Sequence, residues 1–197
     1  MLILASASPR RSELLANAGY AFEILSVPVD EDALPGESAP AMVRRLAGNK
    51  ARAAQRAAKL DPRFAGKSTL LFLGADTIVT VDGQILGKPR DAADARRMLH
   101  LLSGRTHQVM TGVALLADDI EEIAAETTEV TFASLSETEI AEYVGTGDPM
   151  DKAGAYAIQG YASRWVPRIR GCYFNVVGLP ISLVTALVEG VAAAVTP

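Results

Sequence analysis

Cysteine is almost absent from the chain. Cys172 is the only one in 197 residues, which excludes an internal disulfide framework and fits a reducing, cytoplasmic setting. Histidine is nearly as scarce. His100 and His107 are the only two, neither stands in a zinc-ligand spacing, and no structural zinc is expected. An excess of positive charge is also missing. At a net charge of -4 there is no general electrostatic drive toward a nucleic acid polymer, so any phosphate chemistry has to be built locally. Long apolar runs are lacking too. The stretch Ile181 to Val195 is interrupted by Glu189 and is shorter than a spanning helix needs, so it is read as a terminal helix packed on the core, with no membrane role. The start MLILASASPRR carries its positive charge after a short apolar segment, the reverse of a secretory signal. No Gly-x-Ser-x-Gly elbow occurs, and Cys172 has no histidine near it in sequence, so no acyl-transfer triad is expected.

What remains is an ordinary globular composition, 49% hydrophobic and 21% charged. That is enough for a full core over residues 1 to 197, with no repeat, low-complexity segment or separating linker. The most informative stretch is GADTIV, Gly74 to Val79, inside an apolar run from Thr69 to Val81 that reads as a strand buried on both faces. Asp76 stands in the middle of it. A carboxylate taken out of water costs several kcal/mol or more unless it is paired, hydrogen-bonded or bound to a metal, so Asp76 asks for a cation.

Candidates for that cation come from several places. Met1 to Ala5 reads as a strand leading into a helix through Ala18, with Ser8 at the N-cap, Pro9 at the first helical position and Gly19 as the stop. Ser6, Ser8, Arg10 and Arg11 crowd this turn, so it is either an anion site at a helix N-terminus or a capped surface helix with two solvated arginines. A strand from Ala21 to Val27 leads to the acidic loop Asp30-Glu31-Asp32. A long helix follows, from about Ser38 to Leu60. Val43, Leu46, Ala47, Ala51, Ala54, Ala57 and Ala58 share one face of it, and every cation but Lys50 points away. Lys50 lies among the apolar positions, placed to snorkel outward or to meet a buried acid or a phosphate, and the second is the expectation.

The segment Phe64 to Thr69 imitates the end of a Walker A loop, but Asp61 stands where the first glycine belongs. It also leaves a helix and opens a strand, the reverse of the required context. Asp82-Gly83 predicts a hairpin turn into Gln84-Ile85-Leu86, which is expected to bring Lys88 within reach of Asp76. Asp91 predicts an N-cap for a helix from Ala92 to Leu102, and two long strands are expected over Gln108 to Leu116 and Ile120 to Ala133. Ser136 and Glu139 form a capping box for the next helix. The stretch from Gly147 to Gly160 mixes turn formers with Asp151, Lys152, Tyr156 and Gln159, the pattern of a functional loop. Gln159 carries an amide able to pair with the polar edge of a nucleobase. A strand around Val166 to Ile169, a turn at Gly171 and the helical tail complete the chain. Basic turns, a helix N-terminus and converging carboxylates able to hold magnesium or manganese suit attack on a phosphoanhydride.

Six blocks taken in order carry a resemblance: LASASPRRSELL at Leu4 to Leu15, GADTIV, LGKPRD at Leu86 to Asp91, LSGRTHQVMTGV at Leu102 to Val113, DKAGAYAIQG at Asp151 to Gly160 and NVVGLP at Asn175 to Pro180. Over nearly its whole length the chain resembles the Maf family of nucleoside triphosphate pyrophosphatases. The resemblance implies a mixed α/β fold, a long twisted sheet with helices on both sides and two lobes flanking a substrate cleft, and a divalent cation, Mg or Mn. It implies hydrolysis of a nucleotide to the monophosphate and pyrophosphate, with a small-molecule substrate and a possible homodimer. Carried onto matching positions, it makes Asp76 the group that activates water and Glu31 its acidic partner at the metal. Lys50 and Lys88 complete the catalytic set, and Ser8, Arg11 and Lys152 are substrate contacts. Arg10, Thr77 and Gln159 fall where branches differ, and the trio is similar to the branch acting on dTTP and UTP rather than on 7-methyl-GTP. A binding role in septum formation without turnover is the alternative of a different class. Asp148 stands where the family usually has Glu, and Cys172 where Ser is common.

Overall fold

The computed structural model describes residues 1–67 and 69–195, so Ser68 of the Walker-like imitation lies outside the described residues. A mixed seven-stranded sheet runs through the chain. Its strands are β1 (Leu2–Leu4), β2 (Phe22–Ile24), β3 (Leu71–Val81), β4 (Gln84–Leu86), β5 (Thr106–Ala117), β6 (Ile120–Thr131) and β7 (Arg168–Arg170). They lie in the order β2-β1-β3-β5-β6-β7, with β4 paired to β3. β1 is parallel to both β2 and β3, whereas β3 with β4 and β6 with β7 are antiparallel. The parallel pairs follow from their connections: α1 (Pro9–Asn17) carries the chain from β1 to β2, and α2 (Ala39–Ala58) lies between β2 and β3. The remaining helices are α3 (Ala92–Leu102), α4 (Glu137–Gly145), α5 (Tyr173–Val177) and α6 (Ile181–Val195). No helix among the described residues is long and apolar enough to cross a membrane.

Local signals hold at most element ends. Asp91 accepts from the Asp94 N–H at the start of α3, and Ser136 and Glu139 form a reciprocal capping box at α4. Asp82 and Gly83 take φ 49° and 77° between β3 and β4, the left-handed pair that a two-residue hairpin requires. Three readings change. β2 is shorter than Ala21 to Val27. Residues Tyr161–Trp165 form a 3₁₀ segment, which shifts the last strand to Arg168–Arg170, and a short helix, α5, precedes the tail.

Two compact units divide the chain. The first comprises Met1–Asp76, Thr111–Glu126 and the described residues from Gly178 on; the second comprises Thr77–Met110 and Thr127–Val177. The first has a core of small residues, with Ala47, Ala51, Ala54 and Ala58 of α2 against Ile3, Phe72, Ala114 and Leu116. Two glycines permit this closeness. A Cβ at Gly74 in β3 would stand 2.2 Å from the Ala47 carbonyl oxygen, and one at Gly112 in β5 would stand 2.1 Å from that of Val43. Backbone meets backbone there, and no larger residue fits. The second unit gathers an aromatic cluster instead, in which Phe132, Tyr143, Tyr156, Tyr161 and Trp165 meet edge-on or stacked.

Candidate active site

Residues two apart on a strand share a face, so Asp76 points the same way as Gly74, toward α2. Lys50 lies one helical turn beyond Ala47, the residue that Gly74 admits. The close approach of α2 to β3 therefore delivers the lysine to the carboxylate. Lys50 Nζ is 2.6 Å from Asp76 Oδ1 and 2.6 Å from Glu31 Oε1. Asp76 is only 7% exposed, whereas the Glu31 side chain is 47% exposed. One ammonium thus offsets the buried charge of Asp76 and draws in a second carboxylate from the acidic loop. The inward direction of Lys50 expected from the helical wheel is observed, and its partner is the acid that needed a cation.

The turn into α1 completes this part of the first unit. Ser8 occupies the N-cap position, with extended backbone at φ -68° and ψ 117°, but its side chain does not cap the helix. Ser6, buried, accepts from the Ser8 N–H and from Arg11 Nη1, both at 3.2 Å. Arg11 also donates from Nη1 to the Ala75 carbonyl at 2.9 Å and from Nε to the Gly178 carbonyl at 2.9 Å. Burial lowers the Arg11 pKa below the ordinary guanidinium value; Asp76 and Glu31 oppose that shift and Arg10 adds to it. Arg11 therefore fastens the turn to the strand residue immediately before Asp76. Arg11, expected as a substrate contact, is held in place beside Asp76 by the Ala75 and Gly178 carbonyls. Arg10 is partly buried beside it.

The other expected site residues belong to the second unit. Thr77, next after Asp76 in the chain, is partly buried. Lys88 is exposed, two residues beyond the end of β4. Lys152 is buried and bound by its own loop, with Nζ donating to the Asp148 carbonyl at 2.5 Å and meeting Asp151 Oδ1 at 2.6 Å and Asp148 Oδ1 at 3.1 Å. Gln159 is exposed. Asp148, the shorter residue at its position, also accepts from the Tyr143 hydroxyl at 3.1 Å.

Glu31, Lys50 and Asp76 are thus brought together within one unit, with Arg11 fastened alongside. Sequence reasoning missed the glycines that make the meeting possible. Gly74 lies inside the quoted block, and a glycine in the middle of a buried strand is itself the signal of a close backbone approach. Among the described residues no three His, Cys, Asp or Glu side chains form a metal-holding group. Two carboxylates already converge on a single cation, Lys50 Nζ, and that donor set fits magnesium, which takes one or two protein carboxylates and completes its shell with water and substrate phosphates.

Comparison with known proteins places these features in a family. The family model described as Maf-like protein matches residues 1–191, and the chain belongs to that family. Its relatives carry a more particular name. It is similar to a dTTP/UTP pyrophosphatase of Koribacter versatilis, 54% identical over 183 residues that cover 93% of this chain and 90% of that protein. It is also similar to a dTTP/UTP pyrophosphatase of Symbiobacterium thermophilum, 53% identical over 91% of this chain and 88% of the relative. A third of the same name, from Photobacterium profundum, is 47% identical over 95% of both chains.

Proposed function

We propose that the protein hydrolyses dTTP and UTP to the nucleoside monophosphate and pyrophosphate, as a cytoplasmic enzyme acting on small nucleotides. The observation that carries this reading is the single ammonium of Lys50 held at 2.6 Å by both Asp76 and Glu31. The names of relatives about half identical to the chain support the choice of substrate.

In this reading Asp76 is the general base. It takes a proton from a water whose oxygen bonds to the α-phosphorus, while the bond from that phosphorus to the bridging oxygen breaks and its electron pair leaves with pyrophosphate. Glu31 and Asp76 would hold a divalent cation, which when bound neutralises charge on the triphosphate. Lys50 keeps the two carboxylates converged and faces the phosphates, with Lys88 as a further cation. Ser8, at the N-terminus of α1 and without a capping bond, offers its hydroxyl and the helix dipole to an anion. Arg11 acts by position, fixing that turn against Ala75, and Lys152 fixes the loop that holds it. Arg10, Thr77 and Gln159 set selectivity for the pyrimidine imide edge, to which an amide both donates and accepts.

The test is pyrophosphate release from dTTP, UTP and 7-methyl-GTP. Release from the two pyrimidine nucleotides is expected, and release from the methylated purine alone would overturn the reading.

A further inference from the structure

Residues 25–38 join β2 to α2 without helix or strand, and Glu31 rides on that segment. A half-exposed ion pair with Lys50 contributes little against the entropy of ordering an irregular loop, so something more has to bring Glu31 to Asp76. Arg45 supplies it. This residue lies on the side of α2 that the sequence pattern leaves to solvated cations, yet its side chain is only 24% exposed.

The Arg45 guanidinium makes three bonds to the loop and its exit. Nε donates to Glu37 Oε1 and Nη2 to Glu37 Oε2, both at 2.6 Å, a two-pronged pair with a carboxylate that is itself 9% exposed. Nη2 also donates to the Asp32 carbonyl at 2.9 Å. Glu37 passes the grip on. Its Oε2 accepts from the Leu34 N–H at 3.3 Å, and its own N–H donates to the Leu34 carbonyl at 3.0 Å. On the other side, the Asp32 N–H donates to Asp30 Oδ1 at 2.9 Å, which folds the chain around Glu31. Both neighbours of Glu31 are therefore tied, and its carboxylate meets Lys50 at 2.6 Å. Consecutive loop residues, Glu31 and Asp32, are thus held by two side chains of one helix. A lysine at position 45 could not do this, since one ammonium cannot form the planar pair and reach the Asp32 carbonyl as well.

We propose that Arg45 is a positioning residue for the reaction, holding the acidic loop through Glu37 and the Asp32 carbonyl so that Glu31 converges with Asp76 on Lys50. The inference rests on the reading of Glu31 as a member of the catalytic set. Arg45 acts through Glu31, not on the nucleotide.

The experiment is a double-mutant cycle on pyrophosphate release from UTP, joined to hydrogen exchange of the loop. Arg45→Met should lower kcat about tenfold with KM for UTP nearly unchanged, and Glu31→Gln should lower kcat by at least as much. The double variant should match Glu31→Gln within about twofold, because the clamp works only through Glu31. Amides of residues 31–34 should exchange faster in Arg45→Met, while those in the middle of α2 should not. Glu37→Gln spoils the two-pronged pair and leaves Arg45 in place, so it should repeat both results in weaker form, and it carries the test should Arg45→Met not fold. Losses that multiply in the double variant, or loop amides that exchange at the wild-type rate in a folded variant, would overturn the proposal. Wild-type turnover in Glu31→Gln would overturn it too, by removing the residue through which Arg45 acts. A wild-type protein that releases no pyrophosphate from UTP would instead overturn the substrate reading, and the exchange comparison would still test the clamp.

Discussion

Lys50 and Lys152 look alike on paper, since each ammonium meets two carboxylates. Their settings differ. Lys50, on α2, meets Asp76 of β3 and Glu31 of the acidic loop, 26 and 19 positions away, so folding alone brings the three together. The partners of Lys152 are Asp148 and Asp151, four positions and one position away in the same loop, with side chains 42% and 66% exposed. The first arrangement places one carboxylate, Asp76, where the core gives it almost no solvent, while Glu31 stays half exposed; the second closes a loop on itself. Buried charge assembled from distant segments marks a centre of chemistry more strongly than an equal number of charges that are neighbours in the chain.

Substitutions sharpen that contrast. Lys50→Met should cost about 4 kcal/mol, because it leaves a buried carboxylate without its main counter-ion; urea unfolding measures it, and a loss under about 1 kcal/mol would put the two lysines in one class. Next comes His107, buried on β5 with its Nε2 2.7 Å from the Tyr156 hydroxyl. An unfolded His107 protonates near pH 6.5 and the folded one near 4, so the unfolded chain binds the proton first in that window. The stability from burying the neutral ring is therefore full above pH 6.5 and is lost as the pH falls toward 4, by at most about 3 kcal/mol. The stability difference between the wild-type and His107→Gln proteins should shift by that amount between pH 7 and 4. Gly74→Ala should destabilise by about 2 kcal/mol, because the new Cβ would press on the Ala47 carbonyl and push α2 from β3. The same change should lower pyrophosphate release, since Lys50 rides on α2. Lys152→Met should cost under about 1 kcal/mol, since both of its acids remain hydrated.

Much of this was legible in the sequence where the signal is local. The bounds of α3, the capping box of α4, the Asp82-Gly83 turn and the inward Lys50 follow from neighbours within a few residues or from one helical period. The pairing of Lys50 with Asp76 could be inferred because each breaks the pattern of its own element. Contacts set by the tertiary fold were not legible. Gly74 reads as one small residue among many until α2 is laid on it, and the His107–Tyr156 bond has no trace in either segment alone. The bonds of Arg11 to the backbone carbonyls of Ala75 and Gly178 have no sequence signature. The partners of Lys152, Asp148 and Asp151, by contrast, stand beside it in the sequence.

Asp76 is the group proposed to activate water, and Asp76→Asn tests that role most directly. The substitution keeps the shape and a hydrogen-bonding oxygen for Lys50 but cannot accept the proton. Pyrophosphate release from UTP should fall about a thousandfold, with UTP affinity by calorimetry largely unchanged. Turnover within a few fold of wild type would contradict the assignment.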